Sequence, residues 1–135
     1  MKIRKAGPED RGRVAAFAGK HAMDHPGMEK DEFLLAEDDG RLVGIVALKK
    51  HADCLELCSL CVDETGRGTG VGRLLVEELV RLADGPVHLA TVIPAFFEKC
   101  GFARTTTVPR GMKKDAAWCE GCDKSLCTVM VREVR

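Results

Sequence analysis

The chain contains no tyrosine, a single tryptophan and five phenylalanines, so aromatic residues make up only 4% of its 135 residues. No phenol is present to give or take a proton, and the core has to be built mainly from aliphatic side chains. Net charge is missing as well, because 21 Lys and Arg balance 21 Asp and Glu without any long basic run. That removes the electrostatic attraction on which nucleic-acid binding depends. No stretch of roughly 18 apolar residues exists to cross a bilayer, and the basic N-terminus has no apolar segment of signal-peptide length behind it. Nucleic-acid readers and membrane-spanning proteins are thereby disfavoured, and a cytoplasmic location is expected. Repeats, linkers and low-complexity segments are lacking too, so residues 1–135 are expected to form a single domain. A chain of this length buries about two thirds of its extended surface and needs no covalent staples.

Cysteine, by contrast, is plentiful. Cys54, Cys58, Cys61, Cys100, Cys119, Cys122 and Cys127 are seven in number, which cannot pair off completely, and reduced thiols are the default expectation. Cys119-x-x-Cys122-x4-Cys127 has a spacing suited to a soft metal, with Cys100 or His88 as a conceivable fourth ligand. No second pair at clear spacing completes a zinc site, so no metal is assigned. Cys58 and Cys61 on a regular strand point to opposite faces and share no ion. His21, His25 and His51 read as loop or surface residues.

The order of elements is strand, helix, three strands, helix, strand, helix and two strands. Residues 2–6 form the first strand, and Pro8-Glu9-Asp10 opens a helix carrying Val14, Phe17 and Ala18. Residues 32–36 and 42–48 flank Asp38-Asp39-Gly40, a hairpin signal. Residues 54–62 alternate as a central strand with Glu56, Cys58, Leu60 and Val62 on one face. A helix follows from Val71 to near Gly85, with Leu74, Leu75, Leu79 and Leu82 as its stripe and Glu77–Arg81 as a surface pair. Residues 87–92 are a strand, Pro94 opens a short helix, 103–108 and 127–134 are the last two strands, and 109–126 is a loop.

Between the strand at 54–62 and its following helix lies Gly66-Arg67-Gly68-Thr69-Gly70-Val71-Gly72. Glycines let a backbone approach an anion, and a helix N-terminus turns its N–H groups and dipole toward it. A phosphate group is the indicated ligand, against a purely structural turn. A P-loop would need Gly-Lys-Ser/Thr where this chain has Gly72-Arg73-Leu74, and a dinucleotide fingerprint would need an acid about 20 residues on.

Leu60-Cys-Val-Asp63, Arg67-Gly-Thr-Gly-Val-Gly72, Leu74-Leu75 and Phe96-Phe-Glu-Lys-Cys-Gly-Phe102 together resemble the GNAT superfamily of acyl-CoA N-acyltransferases, over essentially the whole chain. The resemblance implies an α/β fold with a mixed, mainly antiparallel sheet and helices on both faces. It implies acetyl-CoA as co-substrate, its pyrophosphate held at Arg67, Gly68, Thr69, Gly70, Val71 and Gly72. It further implies that the strands on either side of the helix splay, so that the pantetheine arm bonds to edges at Leu60, Cys61 and Val62 and at 89–92. Glu56 resembles the position of a general-base glutamate, with an ordinary solvent-facing strand carboxylate as the competing reading. The tyrosine that often serves as general acid is replaced by Phe97, which leaves an unassisted thiolate, Cys100 or water in that role.

Thr91 to Phe102, followed by Trp118, Cys119, Cys122, Cys127 and Met130-Val131, is similar to the amino-acid N-acetyltransferase branch related to N-acetylglutamate synthase, which also carries phenylalanine there. The implied acceptor is a small-molecule amine, the α-amino group of glutamate or a similar amino acid, at the start of arginine biosynthesis. Lys49, Lys50, Arg110, Lys113 and Lys114 are candidate cations for an acceptor carboxylate. A polyamine, antibiotic or protein N-terminus as acceptor, or a CoA-binding module without catalysis, are the alternatives, and a homodimer stays open.

Overall fold

The structure, a computed structural model, describes residues 2–21, 31–64, 68–113 and 127–133. Among the described residues seven strands form one sheet in the order β1-β2-β3-β4-β5-β7-β6. In chain order these are β1 (Lys2–Lys5), β2 (Glu32–Asp38), β3 (Arg41–Lys50), β4 (Leu55–Val62), β5 (Val87–Thr91), β6 (Ala103–Arg104) and β7 (Thr128–Arg132). The helices are α1 (Arg11–Lys20), α2 (Val71–Leu82), α3 (Pro94–Lys99) and α4 (Arg110–Lys113), with a 3₁₀ turn at Pro8–Asp10. β1–β2, β2–β3, β5–β7 and β6–β7 pair antiparallel, whereas β4 and β5 pair in parallel through Leu55↔Val87 and Glu56↔His88. The expected mixed, mainly antiparallel architecture is what the chain adopts. By internal contacts it divides into two compact units, residues 1–49 with 57–82 and residues 50–56 with 83–135.

In the first unit, β2 and β3 join through Asp39 and Gly40, both at positive φ (51° and 77°), as a two-residue hairpin turn requires. β3 is buried without a break from Val43 to Leu48, because helices cover both of its faces. Ile45 and Ala47 pack with Val14, Phe17 and Ala18 of α1. Gly44, on the opposite face, lies under α2: a Cβ there would stand 2.9 Å from Leu75 Cδ1 and 3.1 Å from Val71 Cγ1. The missing side chain lets α2 settle on the sheet, and with it the turn that precedes it. The buried stripe of α2 is Val71, Leu75, Val76 and Leu79, while Leu74 is 48% exposed and Leu82 is also exposed. The expected stripe is therefore rotated about one residue, the i, i+4, i+8 row winning over the leucine run. Arg81 pairs with Glu78, three residues before it, its Nε donating to Oε2 at 3.0 Å.

Ser59 of β4 sits at φ +53°, an irregularity inside the strand. Cys58 before it and Cys61 after it both pack on the cluster around α1, so the two thiols share a face instead of alternating. The regular alternation expected for 54–62 stops at Ser59.

One ionic cluster ties this unit together. Asp10, 2% exposed, accepts from Arg4 Nη1 and Nη2 at 2.8 and 3.0 Å, from the Gly7 N–H at 2.8 Å and from Arg13 Nη1 at 3.3 Å. Arg4 and Arg13 also reach Glu37 at 2.7 and 3.0 Å. The hydrogen bond from Arg4 is the main cause that holds both carboxyls below their ordinary range.

In the second unit, Val87 and Leu89 of β5 and Met130 of β7 are fully buried, Leu89 and Met130 being register partners on the paired strands. Phe97 of α3 is buried and meets Phe96 and Phe102 edge-on, with ring centroids 5.0 and 5.8 Å away, so it is core filler. β6 is shorter than the expected 103–108. Thr105 donates its N–H to Val129 O, but its hydroxyl then accepts from Thr107 N–H at 3.1 Å, a local turn that competes with the ladder. Within the expected loop 109–126, residues 110–113 are helical, and Cys119 and Cys122 lie outside the described residues.

Candidate active site

The glycine-rich segment is an exposed turn that runs straight into α2. Gly68 and Gly70 have φ +79° and +85°, a region open to glycine at little cost, and a Cβ at either would meet nothing within 4 Å. These glycines therefore serve the backbone path rather than packing. Leu74 N–H bonds to Gly70 O at 3.0 Å, the opening bond of α2, so the N–H groups of Val71, Gly72 and Arg73 precede the helical ladder. With the positive end of the dipole they make a surface suited to an anion. Val71 is buried and anchors the turn through its side chain. Leu60, Cys61 and Val62 are the last residues of β4, and Arg67 lies outside the described residues.

The second candidate region belongs to the other unit. Glu56 does not face solvent freely: its side chain is 15% exposed and its Oε1 lies 2.7 Å from His51 Nε2. His51, 12% exposed, is a loop residue as expected but not a surface one. It follows β3 in a tight connection to β4, closed by its own N–H donating to Cys54 O at 2.9 Å. An ionised carboxylate only accepts, so in that state Nε2 carries the proton and donates it to Glu56.

Asp53, in the same connection, reaches a segment more than fifty residues away. Its carboxylate accepts from Arg110 N–H at 2.8 Å and from Gly111 N–H at 3.1 Å. Burial works to raise the Asp53 carboxyl, and the N–H groups of Gly111 and Arg110 more than offset it, leaving a net shift downward. Gly111 fits only without a side chain, because a Cβ would stand 2.5 Å from His51 Cβ and 2.7 Å from Asp53 Oδ1. His88, the register partner of Glu56 on β5, has a buried Nδ1 with no hydrogen-bond partner among the described residues.

The acetyltransferase (GNAT) domain fits residues 29–104, more than half of the chain and a span that holds both the glycine turn and Glu56. The chain belongs to the GNAT acetyltransferase family. The family uses acetyl-CoA as co-substrate.

Solved structures share this GNAT fold. N-acetylglutamate synthase from Neisseria gonorrhoeae, complexed with coenzyme A and N-acetyl-glutamate, is 23% identical, with a TM-score of 0.80 over 99% of this chain and 35% of its own. The chain thus spans about a third of that synthase's length. A Mycobacterium tuberculosis protein in complex with CoA and NLQ is 20% identical, with a TM-score of 0.77 over 100% of both chains. A GNAT family N-acetyltransferase from Escherichia coli in complex with CoA is 19% identical, with a TM-score of 0.69 over 99% of this chain and 81% of its own. No curated protein matches the chain.

Within this GNAT domain the candidates fall into two groups: Leu60 to Val62 with Gly68 to Gly72 follow one another along the backbone, and Glu56 is grouped with His51 and Asp53. Cys100, one of the alternative proton donors, is buried at 2% exposure. Of the candidate cations, Arg110 is exposed and gives its backbone N–H to Asp53, while Lys114 lies outside the described residues. Gly44, Asp53 and Gly111 escaped the sequence reading, which placed His51 only as a loop or surface residue. For His51 a signal existed: His51 and Glu56 flank a short connection between two strands, which brings such residues face to face. No helix among the described residues is long and apolar enough to cross a membrane, and no group of three His, Cys, Asp or Glu placed to hold a metal is found among them.

Proposed function

We propose that residues 1–135 act as one cytoplasmic N-acetyltransferase domain that transfers acetyl from acetyl-CoA to the α-amino group of glutamate or a related amino acid. The observation that carries this reading is the exposed turn Gly68–Gly70 at the start of α2, where a Cβ on either glycine would meet only open space. That geometry suits a pyrophosphate, with Gly68, Thr69, Gly70, Val71 and Gly72 as its backbone donors and Arg67 as an added cation. Leu60, Cys61 and Val62 would carry the pantetheine arm. For the acceptor, the support is the likeness to a synthase bound to N-acetyl-glutamate, and the start of arginine biosynthesis is the pathway that this reading implies.

Acetyl-CoA supplies a reactive thioester, and the remaining work falls to the chain. An amine of ordinary pKa is largely protonated at neutral pH, so a base must take a proton before or during attack. Glu56 holds that role: its carboxylate accepts the proton as the C–N bond forms and the C–S bond breaks. With Phe97 buried and no tyrosine in the chain, the thiolate leaves without a side-chain acid, which its low pKa relative to an alcohol allows.

The test is thiol release from acetyl-CoA over a panel of amines, glutamate and glutamine first. Turnover with an acidic or amide amino acid supports the reading. Turnover with polyamines alone would move the acceptor to a cation, an outcome favoured by the carboxylates of Asp53, in the β3–β4 connection, and Glu56, at the start of β4. CoA binding without turnover on any amine would make the chain a cofactor-binding module. Glu56→Gln should lower kcat by about 10²- to 10⁴-fold while CoA affinity barely moves, with part of the loss regained at higher pH as free amine becomes abundant.

A further inference from the structure

A glutamate acting as base has to present its lone pair in one orientation, yet its side chain turns about three bonds. Disorder in that carboxylate would cost rate even with the acceptor well bound. In this chain Glu56 is not left to rotate. His51 Nε2 meets Oε1 at 2.7 Å, and both side chains are largely buried, at 12% and 15% exposure. His51 in turn is held from behind. Its N–H is fixed to Cys54 O, its Cβ and Cγ lie against the bare α-carbon of Gly111, and Asp53, which faces the same point, bonds to the Arg110 and Gly111 N–H groups. A backbone pinned by a carboxylate, an imidazole wedged against it and a glutamate bonded to that imidazole form a continuous chain of support.

From this arrangement we infer that His51 is the positioning residue of the reaction: through its Nε2–H it fixes the plane of the Glu56 carboxylate, and Gly111, clamped by Asp53, fixes the ring. The inference rests on Glu56 being the base. It assigns His51 no contact with substrate and no proton of the reaction, since its donor N–H is engaged with Oε1 while Glu56 is ionised.

The decisive measurement is a set of four variants of the full chain, each assayed for kcat and KM and titrated with CoA. His51→Ala should lower kcat about 10- to 10²-fold, with KM and CoA affinity within about 2-fold of wild type, a loss of orientation rather than of binding. His51→Gln, whose amide N–H reaches close to the Nε2 position, should recover most of that loss. Gly111→Ala, which leaves both members of the pair in place but drives a methyl into the ring, should lower kcat in the same direction, and it carries the test if His51→Ala does not fold. In a Glu56→Gln background, His51→Ala should cost little more, because a positioned group and its positioner fail together.

If His51→Ala and Gly111→Ala keep wild-type kcat while Glu56→Gln loses it, the base stands and the positioning role is overturned. If His51→Gln is as slow as His51→Ala, the imidazole does more than orient, and the inference is overturned in favour of direct acid–base work. If Glu56→Gln keeps wild-type kcat, the base assignment itself fails, and the inference falls with it.

Discussion

The glycine turn at 68–70 and the connection at 50–56 are built on opposite principles. The turn has almost no side chains, lies open to solvent and relies on backbone N–H groups that any glycine-compatible path would aim the same way. The connection is crowded: imidazole, two carboxylates and a glycine lie within bonding or contact distance, three of them from one short segment and the fourth from Gly111. The first can recognise a group common to every reaction the family performs, whereas the second can fix one side chain in one pose. Variation should therefore be punished differently in the two, in binding at the turn and in rate at the connection.

The largest effect tests the turn. Gly70→Asp adds a Cβ and a negative charge at φ +85°, where the protein itself offers no obstacle within 4 Å. Heat of CoA binding by isothermal titration should vanish, while the melting temperature falls only by what a side chain at this positive φ costs, since no packed atom meets the new group. Equal binding by the variant would place the phosphate site elsewhere. Next comes the connection. Asp53→Ala releases the Arg110 and Gly111 N–H groups and should lower kcat by about 10-fold or more with CoA affinity kept, so a drop in affinity instead would blur the contrast between the regions.

A third substitution asks whether the turn depends on packing below it. Gly44→Val would drive branches into Leu75 and Val71, and overpacking of this kind costs about 1–3 kcal/mol by denaturant unfolding. CoA affinity should weaken with it, since the same helix carries the turn. Unchanged affinity would show that the turn holds its shape alone. The smallest effect belongs to the cluster of Asp10 and Glu37, remote in chemistry from both regions. Their carboxyls are depressed below ordinary values of 3.8 and 4.5, so their stabilisation is full above those values and is lost as pH falls through and below them. Melting temperature should decline over that acid range in the wild type and decline less steeply in Asp10→Asn.

Legibility in the sequence follows range. The Asp39-Gly40 hairpin, the glycine turn and the helix it opens are each specified within a dozen residues, by φ preference and by periodicity, and they were readable as such. The stripe of α2 was misplaced because Leu74 and Leu82 are as apolar as the residues that bury, and the sheet, through Gly44, decides which row faces inward. Glu56 was picked out, but its environment was not. Asp53 bonding to Gly111, and Gly111 packing on His51, are contacts between segments that no local pattern relates. Cys58 and Cys61 mislead for a similar reason, since a single left-handed residue at Ser59 reverses the parity on which the alternation argument stood.

The clamp of Asp53 on the N–H groups of Arg110 and Gly111 has a spectroscopic consequence. Two amides in a short exposed-sequence helix, of a kind that normally trades hydrogen for deuterium quickly, are here locked by a residue of the 50–56 connection. Their exchange requires the bonds to Asp53 to break, by movement of either segment. The peaks of Arg110 and Gly111 in an amide spectrum are thus a built-in clock for the contact that backs His51, readable without substrate or turnover.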